Sequence, residues 1–154
     1  MSDAPQVSIR RVFDAPRHLV YRAFTDPEQL ASWWGPEGNS MPLDEIVMDV
    51  RTGGFQRWTE VVGGDPTIRT HISIDLTDVT HEEVLEGVMR VTGRLRGGFE
   101  PFETRFRITF SDEPDGRTRL EVAQWLPDQV APPAEQGWRE AFAKLDRTLQ
   151  DALA

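Results

Sequence analysis

PAEQGWREAFAKLDRTLQDAL, residues 133–153, decides the fold of this chain. Trp138, Phe142, Leu145, Leu149 and Leu153 recur at steps of four, three, four and four, which puts them on one stripe of an α-helix. The opposite stripe reads Glu140, Lys144, Arg147 and Asp151, so one side is apolar and the other solvated. Pro132 and Pro133 mark the start, because proline is tolerated in the first helical turn, and Glu135 sits well near the positive end of the helix dipole. Glu140 precedes Lys144 by four residues, the favourable orientation for a small pairing gain. At 1.5 Å per residue the helix runs roughly 30 Å. Alone it could not bury a Trp and a Phe, so the rest of the chain must give it a broad apolar surface.

That surface reads as strands. Residues 68–76 alternate Ile68, Thr70, Ile72, Ile74 and Leu76 against Arg69, His71, Ser73 and Asp75. Residues 102–110 alternate Phe102, Thr104, Phe106, Ile108 and Phe110 against Glu103, Arg105, Arg107 and Thr109. Such period-two patterns belong to an antiparallel sheet with one dry and one wet face. Val7–Phe13, Leu43–Val50, Phe55–Val62, Val84–Thr92 and Thr118–Trp125 bring the expectation to about seven strands of ordinary length. Gly53-Gly54, Gly63-Gly64, Gly97-Gly98 and Pro114-Asp115-Gly116 supply the turns between them. After the first strand, Asp14-Ala15-Pro16 opens a short helix with Leu19, Val20, Ala23 and Phe24 on one stripe. Thr25-Asp26-Pro27 stops it and opens a second through Leu30 to Trp33, which Trp34-Gly35-Pro36 ends. The order predicts an α+β fold: a curved antiparallel sheet wrapped around the long C-terminal helix, with two short helices after strand one.

Composition bounds the function. The 154 residues are expected to form one domain with one substantial core. Seventeen basic against twenty-six acidic side chains give a net charge of −9, which argues against nucleic-acid binding and against a polybasic membrane surface. With no cysteine, disulfides, thiolate metal sites and cysteine nucleophiles are excluded. No long apolar run occupies the first thirty residues, so a cytoplasmic protein is the expectation.

Four motifs in this order resemble a known family: Arg11-Val12-Phe13-Asp14-Ala15-Pro16 running into Val20-Tyr21-Arg22-Ala23-Phe24-Thr25-Asp26-Pro27, then Trp33-Trp34-Gly35-Pro36, Asp49-Val50-Arg51-Thr52-Gly53-Gly54, and Gly137-Trp138 at the last helix. The chain resembles the START-like, or SRPBCC, superfamily with its helix-grip fold, and within it the family related to the activator of the heat-shock-protein-90 ATPase. These motifs mark a fold rather than a reaction. The resemblance implies a hollow between sheet and C-terminal helix that takes an apolar or amphipathic small molecule. It also implies a second expectation, a module that modulates a chaperone or other protein partner, with a stress-response role. A small cyclase or hydrolase is the third. Where the family usually carries a Pro-Pro turn, this chain reads Leu76-Thr77-Asp78-Val79-Thr80-His81 instead.

Candidate chemistry is sparse. His18, His71 and His81 share no metal spacing, and no serine sits in a nucleophile-elbow setting, so neither a metal, a cofactor nor a catalytic residue is assigned. The paired glycines lack the Lys-Ser/Thr and helix of a phosphate loop and read as hairpin turns. Asp49 and Arg51 read as a structural ion pair. Aromatics stand out: they either fill the core or line a cavity with a few convergent polar groups. On the cavity reading the ligand-binding residues are Trp34, Phe55, Trp58, Phe106, Gln124, Trp138 and Phe142. Gln124 is the polar member, sharing a strand face with Leu120 and Val122.

Overall fold

The computed structural model describes residues 4–63, 65–94 and 100–153. Its elements follow in the order β1 (Val7–Phe13), α1 (Arg17–Thr25), α2 (Pro27–Trp33), β2 (Val47–Asp49), β3 (Phe55–Val61), β4 (Arg69–Thr80), β5 (Val84–Gly93), β6 (Phe102–Asp112), β7 (Thr118–Trp125) and α3 (Ala131–Leu153). Among the described residues the strands form one antiparallel sheet in the order β1-β7-β6-β5-β4-β3-β2. The sheet curves around α3, giving the α+β helix-grip fold. No helix among the described residues is long and apolar enough to cross a membrane.

Alternation decides which residues face α3. On β4, Thr70, Ile72, Ile74 and Leu76 are buried; on β6, Thr104, Phe106, Ile108 and Phe110 are. The outer face carries cross-strand ion pairs such as Arg90–Asp75 at 2.8 Å and Arg107–Glu86 at 3.1 Å. Exposed and screened by solvent, these pairs contribute little to stability. From α3, Trp138, Ala141, Phe142, Leu145 and Leu149 enter the core. Leu153, expected on the same stripe, is 54% exposed at the last residue of α3.

The two short helices meet where the sequence changes. Asp26 ends α1, and its carboxylate accepts the Glu28 N–H at 3.0 Å to cap α2, with Pro27 at the first helical position. Trp33 Nε1 donates to Ala23 O at 2.9 Å, and Gln56 Nε2 on β3 donates to Phe24 O at 2.9 Å. Both bonds are buried and hold the α1–α2 corner against the sheet.

Two boundaries differ from expectation. Leu43–Val50 is not one strand: a 3-10 turn at Leu43–Glu45 precedes the three-residue β2. Leu43 and Val47 are 48% and 53% exposed, while Ile46 is buried and Met48 and Val50 pack partly against the core, so extending the strand back to Leu43 would bury little. The segment at Leu76–His81 is not a turn, because β4 continues to Thr80 across a bulge between Leu76 and Asp78. The turn falls at His81–Glu83, with Glu82 at φ 61°. Gly63 is described and Gly64 is not; the Gly97-Gly98 turn also lies outside the described residues. At Gly54 the requirement for glycine is proximity, since a Cβ there would sit 1.9 Å from Asp49 O. Arg51 and Asp49 pair at 2.8 Å in solvent, next to that turn.

Candidate ligand cavity

Between the concave sheet face and the first turns of α3 lies a cavity of about 200 Å³. Trp34, Gly35 and Pro36, which follow α2, form one rim, and Pro133, Gly137 and Trp138 of α3 form another. Ile72, Met89 and Val91 give the apolar floor, with Glu60 and Gln124 on the walls. Beside it a compartment of about 20 Å³, room for about one water molecule, borders Gln56, Trp58 and Phe106 and shares Trp34, Met89 and Trp138 with the larger space.

A chain of edge-on and tilted rings frames both spaces. Trp58 meets Trp34 at 5.0 Å, Trp34 meets Trp138 at 5.3 Å, and Trp138 meets Phe142 at 5.4 Å. Edge-to-face pairs hold rings in fixed orientations, so the aromatic wall is preorganised. Gln124 is buried on β7 and its Oε1 accepts from Trp138 Nε1 at 3.0 Å. The register Val7↔Gln124 and Phe106↔Gln124 places it in the sheet interior.

The structure therefore separates the seven expected residues. Trp34, Gln124 and Trp138 border the larger cavity, and Trp58 and Phe106 the inner compartment. Phe142 lies deeper, 1% exposed and edge-on to Phe13 at 5.4 Å, and supports Trp138 without bordering either space. Phe55 lies on the opposite face of β3, half-buried, with the Arg57 guanidinium 4.3 Å from its ring centre. Strand phase is the cause: Trp58 points inward, so Gln56 and Glu60 do too, and Phe55 cannot.

Two residues of the site went unread in the sequence. Glu60 is buried at the cavity wall, where its Oε1 accepts from Asn39 Nδ2 at 2.8 Å. Gly35, at φ +81°, lies so close that a Cβ would stand 2.2 Å from that oxygen. Lys144, assigned to the solvated stripe, instead turns its Nζ to the carbonyl oxygens of Trp34 and Pro36 at 3.1 and 3.2 Å. Burial lowers its pKa below the usual lysine value, an effect opposed by the negative charges of Glu37 and Glu60. Arg147 pairs with Glu37 at 3.5 Å and Glu140 Oε1 accepts the Glu37 N–H at 3.3 Å, so α3 holds the cavity rim at several points. Glu60 follows from strand phase only once Trp58 is known to face inward, and Lys144 stands out in the sequence as the one lysine among sixteen arginines.

Chemically this arrangement can enclose an apolar body and offer it a few hydrogen bonds. Glu60 is the one titratable side chain bordering the larger cavity among the described residues. The histidines stay at the surface, and no group of three His, Asp or Glu side chains among the described residues is placed to hold a metal ion.

A search of curated proteins finds no match. Solved structures share the fold. Protein CV1439 from Chromobacterium violaceum is 24% identical with a TM-score of 0.77, covering 93% of this chain and 96% of that one. Protein Ms6760 from Mycobacterium smegmatis is 22% identical with a TM-score of 0.77, covering 94% and 90%. Protein NE0264 from Nitrosomonas europaea is 20% identical with a TM-score of 0.73, covering 95% and 94%. Residues 14–150 match the profile of the Activator of Hsp90 ATPase homolog 1-like protein family, and the chain belongs to that family.

Proposed function

We propose that the protein is a binding module for an apolar or amphipathic small molecule, held between the curved sheet and α3. One observation carries this reading: an apolar cavity of about 200 Å³ walled by Trp34 and Trp138, with the polar groups of Gln124 and Glu60 converging on it. A packed core tolerates few voids larger than a water molecule, so a space of this size with buried polar groups on its wall is what a binding site needs. It lies below the roughly 300–1,000 Å³ of drug-sized sites, which favours a compact ligand over a long-chain lipid.

Native mass spectrometry of the purified protein tests it, followed by organic extraction of any retained compound. The expected result is an adduct that disappears on extraction and is absent from Gly137→Phe. Gly137 borders the cavity and has open space around a would-be Cβ, so a ring there occupies the site without displacing backbone. A Gly137→Phe variant that folds normally and carries the same adduct would place the ligand elsewhere and refute the reading.

A further inference from the structure

Hydrogen-bond chemistry on the cavity wall narrows what the site accepts, on the premise of the ligand-binding reading above. An indole N–H donates and cannot accept, so the bond from Trp138 Nε1 sets the flip of the Gln124 amide, with its carbonyl oxygen toward Trp138. What remains of Gln124 is its NH2 group, and among the described residues nothing accepts from it. Trp58 adds a second donor. It is 4% exposed, it borders the inner compartment, and its Nε1–H has no acceptor among the described residues. Buried polar atoms nearly always find partners, so the Trp58 N–H on the inner compartment and the Gln124 NH2 on the larger cavity are two unspent donors on neighbouring spaces that favour an acceptor. The competing preference comes from the Glu60 carboxylate, whose Oε1 is engaged by Asn39.

We infer that the cavity selects a compact, uncharged ring compound bearing carbonyl-type oxygen acceptors, the chemistry of cyclic ketones, quinones and lactones. The ring follows from the walls: the indoles of Trp34 and Trp138, edge-on to each other at 5.3 Å, both border the cavity, and an aromatic wall suits a ring-shaped guest. The oxygen follows from the donors. Gln124 Nε2 meets it in the larger space, and the Trp58 N–H serves an acceptor that reaches the inner compartment.

Calorimetric titration with three matched probes tests this: α-tetralone, tetralin and α-aminotetralin share a bicyclic body and differ in their polar group. Wild type should bind the ketone about three- to tenfold more tightly than tetralin, the worth of one net hydrogen bond, and more tightly than the ammonium compound. Gln124→Glu keeps an acceptor for Trp138 and removes the NH2 donor, so the ketone advantage should vanish. Trp58→Phe keeps a ring and removes the second donor, and should reduce the advantage. Equal binding of ketone and tetralin by wild type overturns the inference while leaving the cavity reading intact, and so does a preference for the ammonium compound. No binding of any probe removes the cavity reading for molecules of this size and the inference with it. The wild-type ranking decides the matter even where a variant fails to fold.

Discussion

The bond between Trp138 and Gln124 offers a direct test of the site's construction. Its atoms are 3.0 Å apart and its residues are 7% and 5% exposed, so each group, when the other is removed, is cut off from bulk water and has only what the cavity admits. Gln124→Leu strands a buried N–H, at a cost of about 1–3 kcal/mol, and recovers part of that through the apolar side chain. Trp138→Phe strands the Gln124 oxygen at a similar cost and also loses packing area. The double variant strands nothing. Its loss of stability should therefore fall short of the sum of the single losses by about 1–2 kcal/mol. Urea unfolding of the four proteins measures this, with differences read from midpoints at constant m. Independent sites add to within about 0.5 kcal/mol, so additivity at that level would refute the bond and the amide orientation that rests on it.

Phe142→Ala should cost about 3–5 kcal/mol, because its ring is 1% exposed against Phe13 and Trp138, whereas Leu153→Ala should stay within about half a kcal/mol. Equal losses in denaturant melts would mean that α3 is not seated as described. Gly54→Ala should destabilise more than Gly53→Ala, since the first drives a Cβ into Asp49 O and the second costs only the positive φ of +86°, about 1 kcal/mol; the reverse order in thermal melts would contradict the turn geometry. Lys144 has a folded pKa below its unfolded value, so the unfolded chain holds the proton longer and stability should rise with pH through the window between the lowered pKa and the usual 10.5. Lys144→Met should lack that rise, and a wild-type-minus-variant difference that stays flat from about pH 8 to 11 would count against the burial of the ammonium. As the sequence has one lysine, isotope labelling of lysine reads its titration from a single signal.

Local rules carried much of the fold. Val7–Phe13 and Thr118–Trp125 form strands at the boundaries their composition suggests, and Thr25-Asp26-Pro27 separates two helices because Asp26 can cap and Pro27 can begin one. The stripe from Trp138 to Leu149 faces the sheet because helical period alone places those residues together. In each case the deciding interactions lie within a turn or two of chain.

The cavity was only partly legible for the opposite reason. Period two says which residues share a face of a strand, not which face is the inner one. On β3 that depends on where Trp58 meets Trp34, a residue twenty-four positions away. Hence composition alone places Phe55, apolar but outward, in the site and leaves out Glu60, charged but inward. Helical position alone makes Lys144 solvated, and only the approach of the Trp34 and Pro36 carbonyls gives it part-buried partners. Leu153 keeps its place on the stripe but is exposed at the end of α3, which helical period alone does not reveal. Sequence by itself determined the elements, their order and the dry stripe of α3. Tertiary structure alone decided the space left between them, because a cavity is set by the distances between elements far apart in the chain, and no local pattern encodes those distances.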